Sequence, residues 1–260
     1  MTVRSILLFA PAETAEVGHG PAAYAIGLAM QHGASLTIFS VALDVTTPDR
    51  RTDAPAAAAA IRKAAEGAGV RSSVVTEHSH AIGVHEVIAE HARVHDLSVT
   101  GSDGDGLLTE RMIAEHLMFD SGRPVLVVPR AHAAPPAHGI AAIAWDNSAA
   151  AARALGDAVT LLSVEEAHFL SIDSDKLLRG DLDSDQLVAL AERRGLHAQH
   201  ATAALGDRTI ADALQQEARL RGAGLLVMGA FGHSRLRRFV LGSATIGVLE
   251  ATRMPTLLSH

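Results

Sequence analysis

The chain has 260 residues, with 22 Lys and Arg against 29 Asp and Glu for a net charge of −7, and it is 48% hydrophobic but only 3% aromatic. That length suits one large domain or two ordinary ones around an aliphatic core, and the acidic balance lacks the basic stripe that sequence-independent nucleic-acid binding needs. The absence of cysteine excludes disulfides and thiolate metal sites, and no apolar stretch reaches the roughly 18 residues of a spanning helix, so a cytoplasmic protein with neither nucleic-acid nor membrane partners is expected.

In chain order, Ser5 to Pro11 reads as a buried strand. Arg4 and the Ala10-Pro11-Ala12 end imitate a short secretory signal, but an equivalent segment recurs mid-chain, which favours the strand. A helix over Gly20 to His32, closed by Gly33, leads to a strand over Ser35 to Val45. After a loop come an alanine-rich helix, Ala56 to Gly67, and a strand, Arg71 to Thr76. Val84, Val87, Ile88 and Ala92 have helical spacing. A strand over Leu97 to Thr100, a helix over Thr109 to Phe119 and a strand over Pro124 to Val128 complete the first half. Ala131 to His138 (AHAAPPAH) reads as a proline-bearing linker.

The second half opens with a strand over Ile140 to Trp145 and repeats the order. A short helix over Ser148 to Leu155 and a strand over Val159 to Val164 follow, leaving about a dozen residues for the crossover, near its lower limit. Either that helix is genuinely short or residues are missing there. Glu165 to Asp183 reads as a loop, Ser184 to Arg194 as a helix and His197 to Ala203 as a strand. Ile210, Leu214 and Ala218 mark a helix, Leu225 to Met228 a fourth strand and Pro255 to Leu258 a fifth. DLSVTGSDG (Asp96 to Gly104) and GLLVMGAFG (Gly224 to Gly232) are both apolar runs into G-x2-G at an offset of 128, the sign of a tandem duplication. Alternating strands and helices imply right-handed crossovers and parallel sheets covered on both faces. Two tandem five-stranded α/β sandwiches, doubly wound, are expected, as domains over 1–133 and 139–260.

The most informative stretch is Leu225 to Thr245. An apolar run ends in Met228, then Gly229, Gly232, Gly242 and Ser243 follow as G-x2-G-x9-G-S, and Ala244 and Thr245 open the next apolar-periodic segment. Glycines at a strand exit let backbone N–H groups converge on an anion, and the first N–H groups of the following helix add to them. Arg235, Arg237 and Arg238 lie between the two arms, as phosphate contacts or as a solvated basic face.

The motif MGAFGHSRLRRFVLGSAT resembles the ATP-binding signature of the universal stress protein family. The resemblance is strong over Gly224 to His260, fair over Ile140 to Val164, and only organisational before about residue 95. It implies an adenine nucleotide alpha hydrolase-like fold, with halves paired through their fifth strands as a pseudo-dimer, and a regulatory module in stress response. It implies ATP, ADP or AMP as ligand, with Mg able to accompany the nucleotide. By the same resemblance Asp146 contacts the nucleoside and Val164 lines the adenine, while Gly229, Gly232, Gly242 and Ser243 hold phosphate. Trp145, Met228, His233, Ala244 and Thr245 complete the expected site.

In the residues themselves Asp146 is an acceptor for ribose hydroxyls or the adenine amine, or else a helix N-cap, a place that Asn147 or Ser148 also suits. The first half departs from the pattern. Pro11 or a neighbour stands in the place of Asp146, Asp103 and Asp105 crowd the Gly101 to Gly104 turn, and no Gly-Ser pair follows at the required distance. One nucleotide site per chain is expected, in the second half.

Other clusters have plainer readings. His91 and His95, at i, i+4 beside Glu90, read as a solvated helix face rather than a zinc site, which wants four ligands. His78, His80 and His85 read as exposed, and the acidic run Asp173 to Asp185 lacks the order of a calcium loop. With no G-x-S-x-G elbow, Walker lysine or H-E-x-x-H, no nucleophile or base can be named, and an enzyme is not expected. Two alternatives remain: an interaction protein with a relic glycine loop, and an ATP-dependent adenylating enzyme, whose SGGxDS or HIGH motifs are missing. The protein partner and any homodimer are not readable.

Overall fold

The computed structural model describes residues 2–11, 17–43, 54–79, 83–102, 109–173, 183–230 and 243–260. It divides into two compact units, Thr2–Pro136 and Ala137–His260. The first contains β1 (Ser5–Ala10), α1 (Gly20–His32), β2 (Ser35–Leu43), α2 (Ala54–Gly67), β3 (Ser72–Ser79), α3 (Val84–Arg93), β4 (Leu97–Thr100), α4 (Glu110–Asp120) and β5 (Val125–Val127). The second contains β6 (Ile140–Ala144), α5 (Ala149–Leu162), β7 (Glu166–Asp173), α6 (Ser184–Glu192), β8 (His197–Ala204), α7 (Ile210–Leu220), β9 (Leu225–Gly229), α8 (Ser243–Glu250) and β10 (Thr256–Ser259).

Within the first unit the strand order is β3-β2-β1-β4-β5, and within the second it is β8-β7-β6-β9-β10, with parallel pairs throughout both. The expected tandem α/β architecture is thus present. In each unit the first strand is central and the chain reverses direction across the sheet between the first and fourth strands, the arrangement that opens a crevice at the carboxyl ends. The central strands are apolar on both faces because helices cover both: Ile6, Leu7, Leu8 and Phe9 of β1 and Leu225, Leu226 and Val227 of β9 are all buried. Among the described residues Phe9, Phe39, Phe169 and Tyr24 are the large buried rings of a mostly aliphatic interior.

Local chemistry sets the helix boundaries. Thr109, Ser148 and Thr209 cap α4, α5 and α7, each accepting the N–H three residues on, from Met112, Ala151 and Asp212. Gly33 ends α1 in the left-handed region at φ 64°.

The crossover from β6 to β7 differs from expectation. Val159 to Val164 is not a strand: residues up to Leu162 form the second half of α5, a helix of 14 residues. Ala151, Ala154, Leu155, Ala158 and Leu162 are its buried residues, a helical period that the β-branched content of AVTLLSV conceals. Ser163 closes it in a left-handed conformation at φ 55°. The strand itself lies in the expected loop, because Glu166 and His168 break its apolar run. The crossover is of ordinary length, and no missing residues are needed to explain it.

The expected linker also has a different role up to Pro136. Arg130 to Pro136 lies along α1: the Gly20 N–H donates to the His132 carbonyl at 2.7 Å, Gln31 Nε2 donates to the Pro136 carbonyl at 2.9 Å, and the His132 ring meets Tyr24 edge-on at 5.3 Å. A Cβ on Gly27 would come within 2.8 Å of Pro136 Cδ, so a small residue is needed at that helix position.

Asp96 fastens the start of β4 to the start of β1. Its Oδ2 accepts from the Arg4 N–H (2.9 Å), the Ser5 N–H (3.0 Å) and the Ser5 hydroxyl (3.1 Å). Burial pulls this carboxyl upward, but the three hydrogen bonds and the nearby Arg123 outweigh it and hold the group below its ordinary value. A lowered folded-state value means that Asp96 stabilises the fold above the unfolded-state pKa and ceases to as pH falls through the folded one. Asp96→Ala is expected to cost about 1–2 kcal/mol in urea unfolding at pH 7, and the difference from wild type should shrink as pH falls through the lowered folded-state pKa of Asp96.

Candidate functional site

The crevice of the second unit is defined by register. Ala144, the last residue of β6, lies beside Leu170 of β7 and Met228 of β9, and the Trp145 N–H continues the ladder to the Leu170 carbonyl at 2.9 Å. Parallel strands therefore bring Trp145 and Asp146 to the same edge as Gly229, at the point where strand order reverses.

Asp146 is exposed and does not cap α5. Its Oδ1 accepts the Ser148 N–H at 3.0 Å, and Ser148 in turn caps the helix through the Ala151 N–H at 3.0 Å. This pair fixes the Asp146 side chain, and its second carboxylate oxygen carries no bond among the described residues. Asn147 adopts φ 60° and accepts the Trp145 indole N–H on Oδ1 at 2.6 Å. The half-buried indole packs edge-on against Phe169 with centroids 5.5 Å apart.

Two residues that the sequence did not single out join this edge. Ser171 Oγ donates to the Trp145 carbonyl at 3.2 Å and lies 3.0 Å from His200 Nε2. Its one proton being spent, it accepts from the imidazole, which assigns the Nε2–H form to His200. The first three strands of the unit are thus tied together at the crevice by a polar chain. The only sequence signal for it is a polar residue near the end of β7 and a histidine midway along β8.

Gly229 needs its lack of a side chain for packing. A Cβ there would overlap the main chain of Ala150 and Ala151 in the first turn of α5. Met228 is buried within β9, Ala244 is half-buried and Thr245 buried on α8, and Ser243 is the first residue of α8. Gly232, His233, Gly242, Arg235, Arg237 and Arg238 lie outside the described residues, as do Asp103 and Asp105.

Val164 is displaced from its expected place. It is buried between α5 and β7, at the amino end of β7 and so at the opposite end of the sheet from the crevice. The misread crossover is the reason. The half-buried Ile172, beside Ala203 of β8, holds the corresponding position at the carboxyl end.

In the first unit His91 and His95 serve packing. His95 lies 2.7 Å from the His91 carbonyl and 2.9 Å from Thr37 Oγ1, and His91 sits against Phe39 at 5.2 Å. They are half-buried rather than a solvated face. Among the described residues no group of three or more His, Cys, Asp or Glu is placed to hold a metal ion, and no helix is long and apolar enough to cross a membrane.

Comparison with known proteins follows this division. Residues 139–260 match the model of the universal stress protein family. No curated protein matches the sequence. Among solved structures, the fold is similar to a universal stress protein from Archaeoglobus fulgidus (14% identity, 97% of this chain and 95% of that one, TM-score 0.68). A Pseudomonas aeruginosa protein assigned to the same group is also similar (16% identity, 99% and 93%, TM-score 0.63). So is the cytoplasmic domain of a prokaryotic cation chloride cotransporter (13% identity, 99% and 95%, TM-score 0.53).

Gly229→Ala is expected to destabilise the second unit by about 1–3 kcal/mol, because the new methyl group meets the α5 backbone rather than a flexible side chain. Ser148→Ala should cost about 1 kcal/mol through the lost cap. Thermal and urea unfolding measure both, and a neutral Gly229→Ala would show that this close approach is absent in solution.

Proposed function

We propose that the second unit binds an adenine nucleotide, with ATP as the first candidate and ADP and AMP as competitors, in the crevice beyond β6 and β9. The chain then works as a tandem, nucleotide-responsive regulatory module of the cytoplasm in stress response, and not as an enzyme. The observation that carries this reading is the meeting of Asp146 and Gly229 at the switch point, immediately before the G-x2-G-x9-G-S spacing.

Each residue has a defined task on this reading. Asp146, already oriented by Ser148, offers its remaining oxygen to ribose hydroxyls or to the adenine amine. Trp145 and Ile172 supply apolar edges for the base. Gly229 lets β9 approach the start of α5, and the backbone amides after it, with Ser243 at the start of α8, receive the phosphates. Mg would accompany the nucleotide through its phosphates. No residue described at this edge is a poised nucleophile; Ser171, beside His200, is buried and already hydrogen-bonded at both lone pair and proton. The same repeat of strand order supports reading the first unit as a diverged second copy.

A second reading has one specific observation in its favour: packing alone accounts for the glycine at 229. On it, the glycine loop is a relic and the chain is an interaction module.

Calorimetry against ATP, ADP and AMP separates the two. One nucleotide per chain is expected. Asp146→Ala should weaken binding roughly tenfold, corresponding to about 1.4 kcal/mol, and Gly232→Val should abolish it. Trp145 is the only tryptophan, so its fluorescence should change with the same titration midpoint. No heat and no fluorescence change with any of the three at millimolar concentration would leave the interaction module as the reading.

A further inference from the structure

The crevice of the first unit is not simply worn away. It contains a charge. Glu110, the first residue of α4, is 3% exposed, although nothing about a helix start requires a glutamate to be buried. Its carboxyl group lies so close over Gly101, the residue after β4, that any Cβ at 101 would overlap it. Arg130 brings Nη2 to within 3.6 Å of Glu110 Oε2. The Arg130 backbone is held by α1, because its carbonyl lies 2.9 Å from His19 Nδ1 and would be 2.7 Å from a Cβ on Gly20. Around this pair remains a cavity of about 20 Å³, lined in part by Phe9, Pro11, His19 and Pro21. That is room for about one water molecule. Thr100 Oγ1, fully buried at the end of β4, has no hydrogen-bond partner among the described residues.

The second unit differs at the matching points. Gly229 corresponds to Gly101 and is covered by backbone, and α8 begins with Ser243 where α4 begins with Glu110. A helix start favours a negative charge, and a buried carboxylate needs one such partner to be tolerated.

We propose that Glu110 is a resident anion of the first unit: its carboxylate, over Gly101 and opposite Arg130, fills the carboxyl edge of this crevice and thereby keeps it closed to nucleotides. The inference rests on reading the second crevice as a nucleotide site. It explains a single site per chain without appeal to repulsion by Asp103 and Asp105.

The test removes the resident anion in a Gly232→Val background, with ATP and inorganic pyrophosphate as probes. Glu110→Ser copies the start of α8. The Gly232→Val parent should bind neither probe, whereas Gly232→Val/Glu110→Ser should bind about one equivalent, at least tenfold more tightly than the parent. A folded double variant that binds neither probe overturns the proposal, and so does wild-type protein that binds two nucleotides per chain. Should the serine variant not fold, Glu110→Gln, which keeps the size without the charge, is read in its place by the same criteria. Loss of fold in that variant too would overturn the proposal, since the charge would then be structural. If wild type binds nothing while the Glu110 variant binds, the second-crevice reading fails and the resident anion stands.

Discussion

Parallel pairing of β6 with β9 is the constraint from which the site follows. Neither strand has a side chain that can do chemistry within its paired length; both are apolar because helices cover both faces of the sheet. What pairing fixes is direction and register. Once Ala144 stands beside Met228, Asp146 and Gly229 must emerge at one edge, although they are far apart in sequence. A slip of one residue would turn every buried side chain of β9 to the other face. Both faces of β9 are buried, so the fit of the Leu225–Met228 side chains, and not their polarity, resists that slip. The approach of α5 to Gly229 adds a second lock, because a helix start can sit against a strand end only where no Cβ intervenes.

Much of this was legible in the sequence where local signals agreed. Outside the α5–β7 crossover the apolar strand runs, and the helices begun at Thr109 and Ser148, lie where the sequence puts them, and the repeated strand order agrees with the offset of 128 between two G-x2-G motifs. The failure at α5 and β7 has a physical cause. Val159, Thr160, Leu161 and Leu162 look like a strand because β-branched and aliphatic residues favour extended backbone, but a helix whose buried stripe is mostly alanine presents little hydrophobic contrast. β7, conversely, takes Glu166 and His168 into the start of its alternation, with His168 Nε2 2.9 Å from Glu166 Oε1, which tertiary packing permits and composition does not announce.

The site was legible to the extent that its residues lie next to their elements. Asp146 follows its strand directly, and the Ser148 alternative for the cap, open on sequence grounds, is the one realised. Val164 was misplaced because its position depended on where β7 starts; an error of one element moved a residue from one end of the sheet to the other. Ser171 and His200 were not legible at all. Their link to the Trp145 carbonyl depends on the side-by-side placement of three strands, and no spacing within one strand encodes that.

The two units show how little sequence it takes to change what a shared fold can hold. Both place a glycine at the end of the fourth strand, and both start a helix beyond it. In one the glycine is covered by the backbone of the preceding crossover helix and the next helix opens with serine; in the other a buried glutamate takes the space the glycine leaves. The strands, their order and their register are indifferent to this choice, because it is made at the carboxyl edge, outside the ladder of hydrogen bonds. A duplicated sheet can keep its stability while one of its two edges is given over to an internal ion pair, since folding and binding draw on different ends of the same strands.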